Sequence, residues 1–186
     1  MTLLKPNLSR PNVDVLISAA EIAGRVSTLA EGISAQLPSD MLIVALLRGS
    51  FVFTADLIRA LHLTGVRPQI EFMTLSSYGS DTASSGNVEI IRDLTEDIAG
   101  RDVLIVDDIL ESGRTLTFAR NLLTKRGAAS IKIAVLLEKP GKRAAQVTAD
   151  FVGFTIADKF VVGYGLDYAN YYRELPFIGV ITGDHG

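Results

Sequence analysis

Apolar residues recur along this chain with two different spacings. Ile22, Val26, Leu29, Ile33 and Leu37 return at three- and four-residue steps, the repeat of a helix that buries one face, and predict a helix over about 18–36. Ser18-Ala-Ala-Glu21 supplies a capping box at its start. Elsewhere the apolar residues come in short unbroken runs, as in strands covered on both faces. These runs predict strands over about 41–47, 70–76, 102–107, 131–137 and 151–156, with a last short one near 178–182. Helical patterns at about 51–62 and 115–126 fall between some of them. Strands alternating with helices imply an α/β fold, a mainly parallel sheet flanked by helices. Met1 to Val13, with its prolines and asparagines, reads as an irregular arm, and the glycine- and tyrosine-rich tail from Phe160 as irregular too. No repeat or linker interrupts the pattern, so residues 1–186 read as a single domain.

One polar stretch stands outside this rhythm. Ser76 to Asn87 holds Ser, Gly, Asp, Thr and Ala, with Tyr78 its only large side chain. A polar segment of that length within a domain is either a tolerated surface loop or a working lid.

The densest chemistry lies in Val103 to Leu116, Val-Leu-Ile-Val-Asp-Asp-Ile-Leu-Glu-Ser-Gly-Arg-Thr-Leu. A buried strand runs into two adjacent carboxylates, Asp107 and Asp108, at the strand edge where open parallel sheets bind ligands. A turn follows with Glu111, Ser112, Gly113, Arg114 and Thr115, and then a helix begins. Gly113 lets the backbone approach a ligand closely, and the hydroxyls of Ser112 and Thr115 stand beside the amides of a helix start, a phosphate site. Acids next to an anion cradle suit a ligand that carries hydroxyls beside its phosphate. A phosphorylated sugar has that chemistry.

This stretch resembles the phosphoribosyl-pyrophosphate signature of the type I phosphoribosyltransferases. Leu46-Leu47-Arg48-Gly49-Ser50, Ser76-Ser77-Tyr78-Gly79, Leu137-Glu138-Lys139-Pro140 and Asp158 through Tyr168 follow the order seen in the hypoxanthine (hypoxanthine-guanine) branch, from about Met41 to the C-terminus. The resemblance implies that family's fold, a central mainly parallel sheet with a small irregular hood from the termini and a flexible lid at about 76–87. It implies Mg²⁺-dependent purine salvage, the transfer of phosphoribosyl from phosphoribosyl pyrophosphate to hypoxanthine and guanine, giving IMP or GMP. By the same resemblance Asp107 and Asp108 hold the ribose, and Ser112, Gly113, Arg114 and Thr115 the 5′-phosphate. Arg48, Gly49 and Arg173 contact pyrophosphate, across a Leu47–Arg48 peptide that can be cis. Asp167 contacts the metal, and Ser77 and Tyr78 belong to the lid that shuts out water. Phe160 stacks on the purine, Lys139 reads its 6-oxo oxygen and the Val161 backbone meets its position 2.

Glu111 departs from the family pattern. The family usually carries an aspartate here, as the proposed base for the purine N7 proton. Glutamate is longer by one methylene, about 1.5 Å of reach, and proton transfer needs contact within about 3 Å. Two alternatives stay open: a xanthine-preferring enzyme, which a single pocket contact could produce, and a non-catalytic nucleotide-sensing regulator on the same fold, toward which only Glu111 leans.

Composition narrows the classes further. A formal charge of −3 without a Lys/Arg-rich run gives no nucleic-acid footprint. The absence of cysteine excludes disulfides, thiolate catalysis and zinc–cysteine sites. No signal pattern opens the chain, and its longest apolar run, Met41 to Leu47, is far short of a membrane span, so a cytoplasmic protein without membrane partners is expected. The family forms homodimers and homotetramers, which makes the helix at 51–62 a candidate contact surface. His62 and His185 carry no assigned chemistry.

Overall fold

The five internal apolar runs line up side by side. The computed structural model describes residues 12–77 and 88–182. Its elements are β1 (Asn12–Ile17), α1 (Ala19–Ser34), β2 (Leu42–Leu47), α2 (Phe51–Leu63), β3 (Gln69–Ser77), β4 (Val88–Arg92), β5 (Asp102–Leu110), α3 (Arg114–Lys125), β6 (Ser130–Glu138), β7 (Phe151–Thr155), β8 (Val161–Val162) and β9 (Ile178–Thr182). Six strands form one sheet in the order β4-β3-β2-β5-β6-β7. All neighbours in it are parallel except β3 and β4.

Alternate residues of each central strand feed opposite faces. Ile43, Leu104 and Val106 pack with Ile22, Ile33, Phe53 and Leu57 of α1 and α2. Leu42, Val44 and Ile105 pack with Leu116, Ala119 and Leu123 of α3. Burial on both faces is why these strands read as unbroken apolar runs, each buried Leu or Ile contributing about 1.5–3 kcal/mol. The capping box opens α1: Ser18 Oγ accepts from Glu21 N at 3.3 Å, and Glu21 Oε2 accepts from Ser18 N at 2.8 Å. Arg25 of the same helix covers the free edge of the sheet, donating to the carbonyls of Gly153 and Val152 at 2.7 Å each.

The connections set the place of the site. From β2 the chain crosses through α2 to β3 on one side, and from β5 it crosses through α3 to β6 on the other. Since β2 and β5 are neighbours, their carboxyl ends form the switch point where open α/β sheets hold ligands.

Three strands depart from the expectation. Asn12 and Val13, expected in an irregular arm, open β1, and Val161–Val162, expected in an irregular tail, form β8. With β9 they make a separate antiparallel sheet, β1-β9-β8, so the hood from the two ends of the chain is ordered rather than irregular. Val13 pairs with Ile181 and Val161 with Val180; partners that distant leave no local signal. The third is β4, which runs antiparallel to the end of β3 with Ser77 opposite Val88. Ser76 and Ser77, assigned to the lid from sequence, are therefore strand residues, and the remainder of that segment, with Tyr78, lies outside the described residues. The strand predicted to end at Asp107 continues to Leu110, because β6 pairs alongside it as far as Glu138. Among the described residues no helix is long and apolar enough to cross a membrane.

Candidate active site

A crevice of about 350 Å³ opens at the switch point, lined by Leu46–Gly49 from the end of β2 and by Asp107–Gly113 and Thr115 from the end of β5 and the start of α3. Its floor is the acid pair. Asp107 is 9% exposed, and its Oδ1 accepts from Asp108 N at 3.0 Å. Burial pushes the Asp107 carboxyl well above the usual carboxylate range, and the neighbouring Asp108 charge pushes it further. Burial raises Asp108 too, held back by its hydrogen bond with Asp107 and by the positive charge of Arg173. Two desolvated acids side by side suit a ligand that brings hydroxyl donors or positive charge to them.

Two glycines allow this packing. A Cβ on Gly49 would stand 1.5 Å from Asp108 Oδ2, so only glycine lets the β2 loop lie against the acid. Gly113 adopts φ +77°, and a Cβ there would meet Val147 Cγ1 at 2.5 Å. It is the N-cap of α3, and Ser112 Oγ accepts from Arg114 N at 3.4 Å. Ser112, Gly113 and Thr115 thus line the crevice at a helix start, while the exposed Arg114 is not part of its lining.

Arg48, on the exposed loop after β2, follows a cis Leu47–Arg48 peptide. The chain beyond β8 leans on this loop: a Cβ on Gly165, at φ +98°, would sit 2.3 Å from Gly49 O. That segment delivers Arg173, whose Nη1 donates to Gly165 O at 2.5 Å and whose Nη2 pairs with Asp167 Oδ1 at 2.7 Å. Asp167 Oδ2 accepts from Asn170 N at 2.8 Å. Of the sequence-predicted residues, Arg48 and Gly49 line the crevice, and Arg173 and Asp167 pair beside the Gly49 loop without lining it. The described residues hold no cluster of three metal-ligating side chains. The donor set is one carboxylate, Asp167, near the acid pair, which fits a hard cation that takes few protein carboxylates and completes its shell from substrate oxygens and water.

At the other end Lys139 is 6% exposed, and its Nζ lies 3.6 Å from Glu111 Oε2 and 3.9 Å from Asp158 Oδ1. Lys142 Nζ closes the group, 3.3 Å from Glu111 Oε1 and 2.7 Å from Asp158 Oδ2. The Asp158 and then the Glu111 carboxylate push the Lys142 ammonium above its usual range, and Lys142 in turn holds Asp158 below the usual carboxylate range. Phe160 is 58% exposed and packs edge-on against Tyr168 at 5.7 Å. Val161 is buried in β8, where it pairs with Val180 of the hood sheet.

Lys142, Arg143 and Asp158 had no part in the sequence argument beyond the presence of Asp158 in a quoted motif. The only sequence signal for Lys142 and Arg143 is two adjacent bases after Lys139-Pro140-Gly141, which by themselves carry no indication of a role.

The sequence model of the phosphoribosyl transferase domain matches residues 16–169. The hypoxanthine phosphoribosyltransferase of Escherichia coli is 48% identical over 91% of this chain and 95% of its own. The hypoxanthine-guanine phosphoribosyltransferase of Bacillus subtilis is 48% identical over 90% and 92%. A crystal structure of a Staphylococcus aureus hypoxanthine phosphoribosyltransferase superposes with a TM-score of 0.86 at 38% identity, covering 97% of each chain. With an acid pair and a glycine turn at its switch point, and with these likenesses over nearly its whole length, the chain belongs to the hypoxanthine (hypoxanthine-guanine) phosphoribosyltransferases of the type I fold.

Proposed function

We propose that this chain, working as one domain over residues 1–186, performs purine salvage by transferring phosphoribosyl from phosphoribosyl pyrophosphate to hypoxanthine and guanine. The observation that carries the choice of base is the Glu111–Lys139 pair. An acceptor and a donor stand 3.6 Å apart. The N7 and the 6-oxo oxygen of an oxopurine share one edge of the ring. Lys139 donates to the oxygen, and Glu111 accepts the proton that leaves N7 as a ring nitrogen bonds to C1 of the ribose and the bond to pyrophosphate breaks. Adenine, with an amine at position 6, would leave Lys139 without an acceptor and is rejected. Phe160 supplies a π-face for stacking, and the Val161 backbone meets position 2.

The buried Asp107 and half-buried Asp108 accept from the ribose hydroxyls. Ser112, Gly113, Arg114 and Thr115 hold the 5′-phosphate at the start of α3. Arg48, the Gly49 backbone and Arg173 hold pyrophosphate. Asp167, with substrate oxygens, would hold Mg²⁺, which would supply positive charge to offset that of pyrophosphate. The enzyme acts in the cytoplasm as a homodimer or homotetramer. Exposed Phe51 and Leu63 at the two ends of α2 favour that helix as the contact face.

The test is purified protein with Mg²⁺ and phosphoribosyl pyrophosphate, offered hypoxanthine, guanine, xanthine and adenine in turn. IMP and GMP are expected, with no product from adenine. Faster turnover of xanthine than of hypoxanthine would favour the xanthine-preferring reading. Folded protein that binds IMP yet forms no nucleotide from any base would favour the regulator.

A further inference from the structure

The turn after β6 grips the candidate base from behind. Arg143 Nη1 donates to the carbonyls of Leu110 and Glu111, at 2.9 Å each, while Nη2 pairs with the carboxylate of Glu138. One guanidinium thus joins the end of β5, which carries Glu111, to the end of β6, which carries Lys139. Next to it the amides of Ala144 and Ala145 donate to Ser112 O at 2.9 and 3.2 Å. Lys142 reaches past this backbone hold to the Glu111 carboxylate at 3.3 Å, and Asp158 anchors the same ammonium at 2.7 Å. The backbone and the side chain of Glu111 are therefore held by consecutive residues of one turn.

We infer that Arg143 and Lys142 are positioning residues for Glu111, Arg143 fixing its backbone and Lys142 steering its carboxylate. The added methylene of glutamate brings one more rotatable bond than aspartate has. An ion pair to a tethered ammonium limits the positions that bond can reach. Lys139 pairs with the other carboxylate oxygen, so when a purine draws Lys139 onto its 6-oxo oxygen, Lys142 still holds Glu111 toward the same edge. The inference rests on the reading of Glu111 as proton acceptor.

The test compares turnover of Lys142→Met and Arg143→Met in the native sequence and in Glu111→Gln. In the native sequence Arg143→Met lowers kcat roughly 10- to 100-fold and Lys142→Met about 5-fold. KM for phosphoribosyl pyrophosphate stays within about twofold, and Lys142→Arg restores turnover. In Glu111→Gln neither change lowers kcat further by more than about twofold, because the group being positioned is gone. Equal fold-losses in both backgrounds, or a parallel rise in KM for phosphoribosyl pyrophosphate, overturn the inference. Should Arg143→Met not fold, Arg143→Lys and the Lys142 variants carry the same comparison. Glu111→Gln alone separates the two claims: unchanged turnover fails the base assignment itself, whereas a large fall with fully multiplicative partners fails only the clamp.

Discussion

At the end of the crevice proposed to hold the sugar, Asp107 and Asp108 are desolvated, and glycines at 49 and 113 let the surrounding backbone close on the site with no room for a Cβ. At the end proposed to hold the purine, Glu111 and Asp158 face Lys139 and Lys142 as two acids and two ammonium groups, 2.7 to 3.9 Å apart. The first region carries an electrostatic cost that its ligand relieves, and its selectivity is written in backbone shape. The second is already neutral among its own side chains and is adjustable one side chain at a time. Small errors should therefore be ruinous at the sugar end, while the purine end should respond to each group according to its role.

The largest effect is expected from Glu111→Gln, which keeps the shape of the purine end and removes its proton acceptor. Turnover should fall about 10²- to 10⁴-fold while IMP binding, followed by calorimetry, persists. Native turnover would remove Glu111 from the chemistry. Next comes Gly49→Ala, because the new Cβ displaces the Asp108 carboxylate. Steady-state assays should show kcat/KM for phosphoribosyl pyrophosphate reduced about 10²-fold, and a near-native value would mean the sugar end is less rigid than its packing indicates. Lys139→Ala should cost about 10- to 100-fold in kcat/KM for hypoxanthine, the worth of one hydrogen bond from a charged group, and leave KM for phosphoribosyl pyrophosphate nearly unchanged. Equal losses for both substrates would make Lys139 a structural lysine and blur the division between the two ends.

The smallest effect has the opposite sign. Burial raises Asp107 in the folded protein above its unfolded value, so its contribution to stability is fully present below the unfolded value and is lost as pH rises through the raised one. Asp107→Asn cannot take on that charge. Ligand-free Asp107→Asn should therefore melt about 2–4 °C above the native protein at neutral pH. The gap should narrow as the pH falls from the raised value toward the unfolded one, where the carboxyl is protonated in both states. Melting curves across pH decide this; a variant less stable at neutral pH would show that the acid pair is stabilising rather than strained. The same change should also weaken use of the sugar substrate, a trade of stability for function at one residue.

Helices α1, α2 and α3 and the parallel strands were legible in sequence because their signals are local. A helix face repeats within a few residues, and a strand buried on both sides is apolar throughout. The short strands β1, β4 and β8 were not, since each exists through a partner elsewhere in the chain. The site divided in the same way. Asp107, Asp108, Ser112, Gly113 and Thr115 lie in one contiguous motif whose order reveals its chemistry. Lys142 and Arg143 gain meaning only where the end of β6 comes beside the end of β5.

The sequence by itself determined the kind of ligand and the type of fold, because a strand, an acid pair and a glycine–hydroxyl turn are local arrangements set by backbone sterics and side-chain chemistry. Only the tertiary structure decided how Glu111 is held. Its partners Lys139, Lys142, Arg143 and Asp158 come from segments that meet through parallel pairing of β5 with β6 and the return of the chain after β7. Charge pairing across such distances in sequence depends on which strand ends adjoin, and that follows from the packing of the whole sheet.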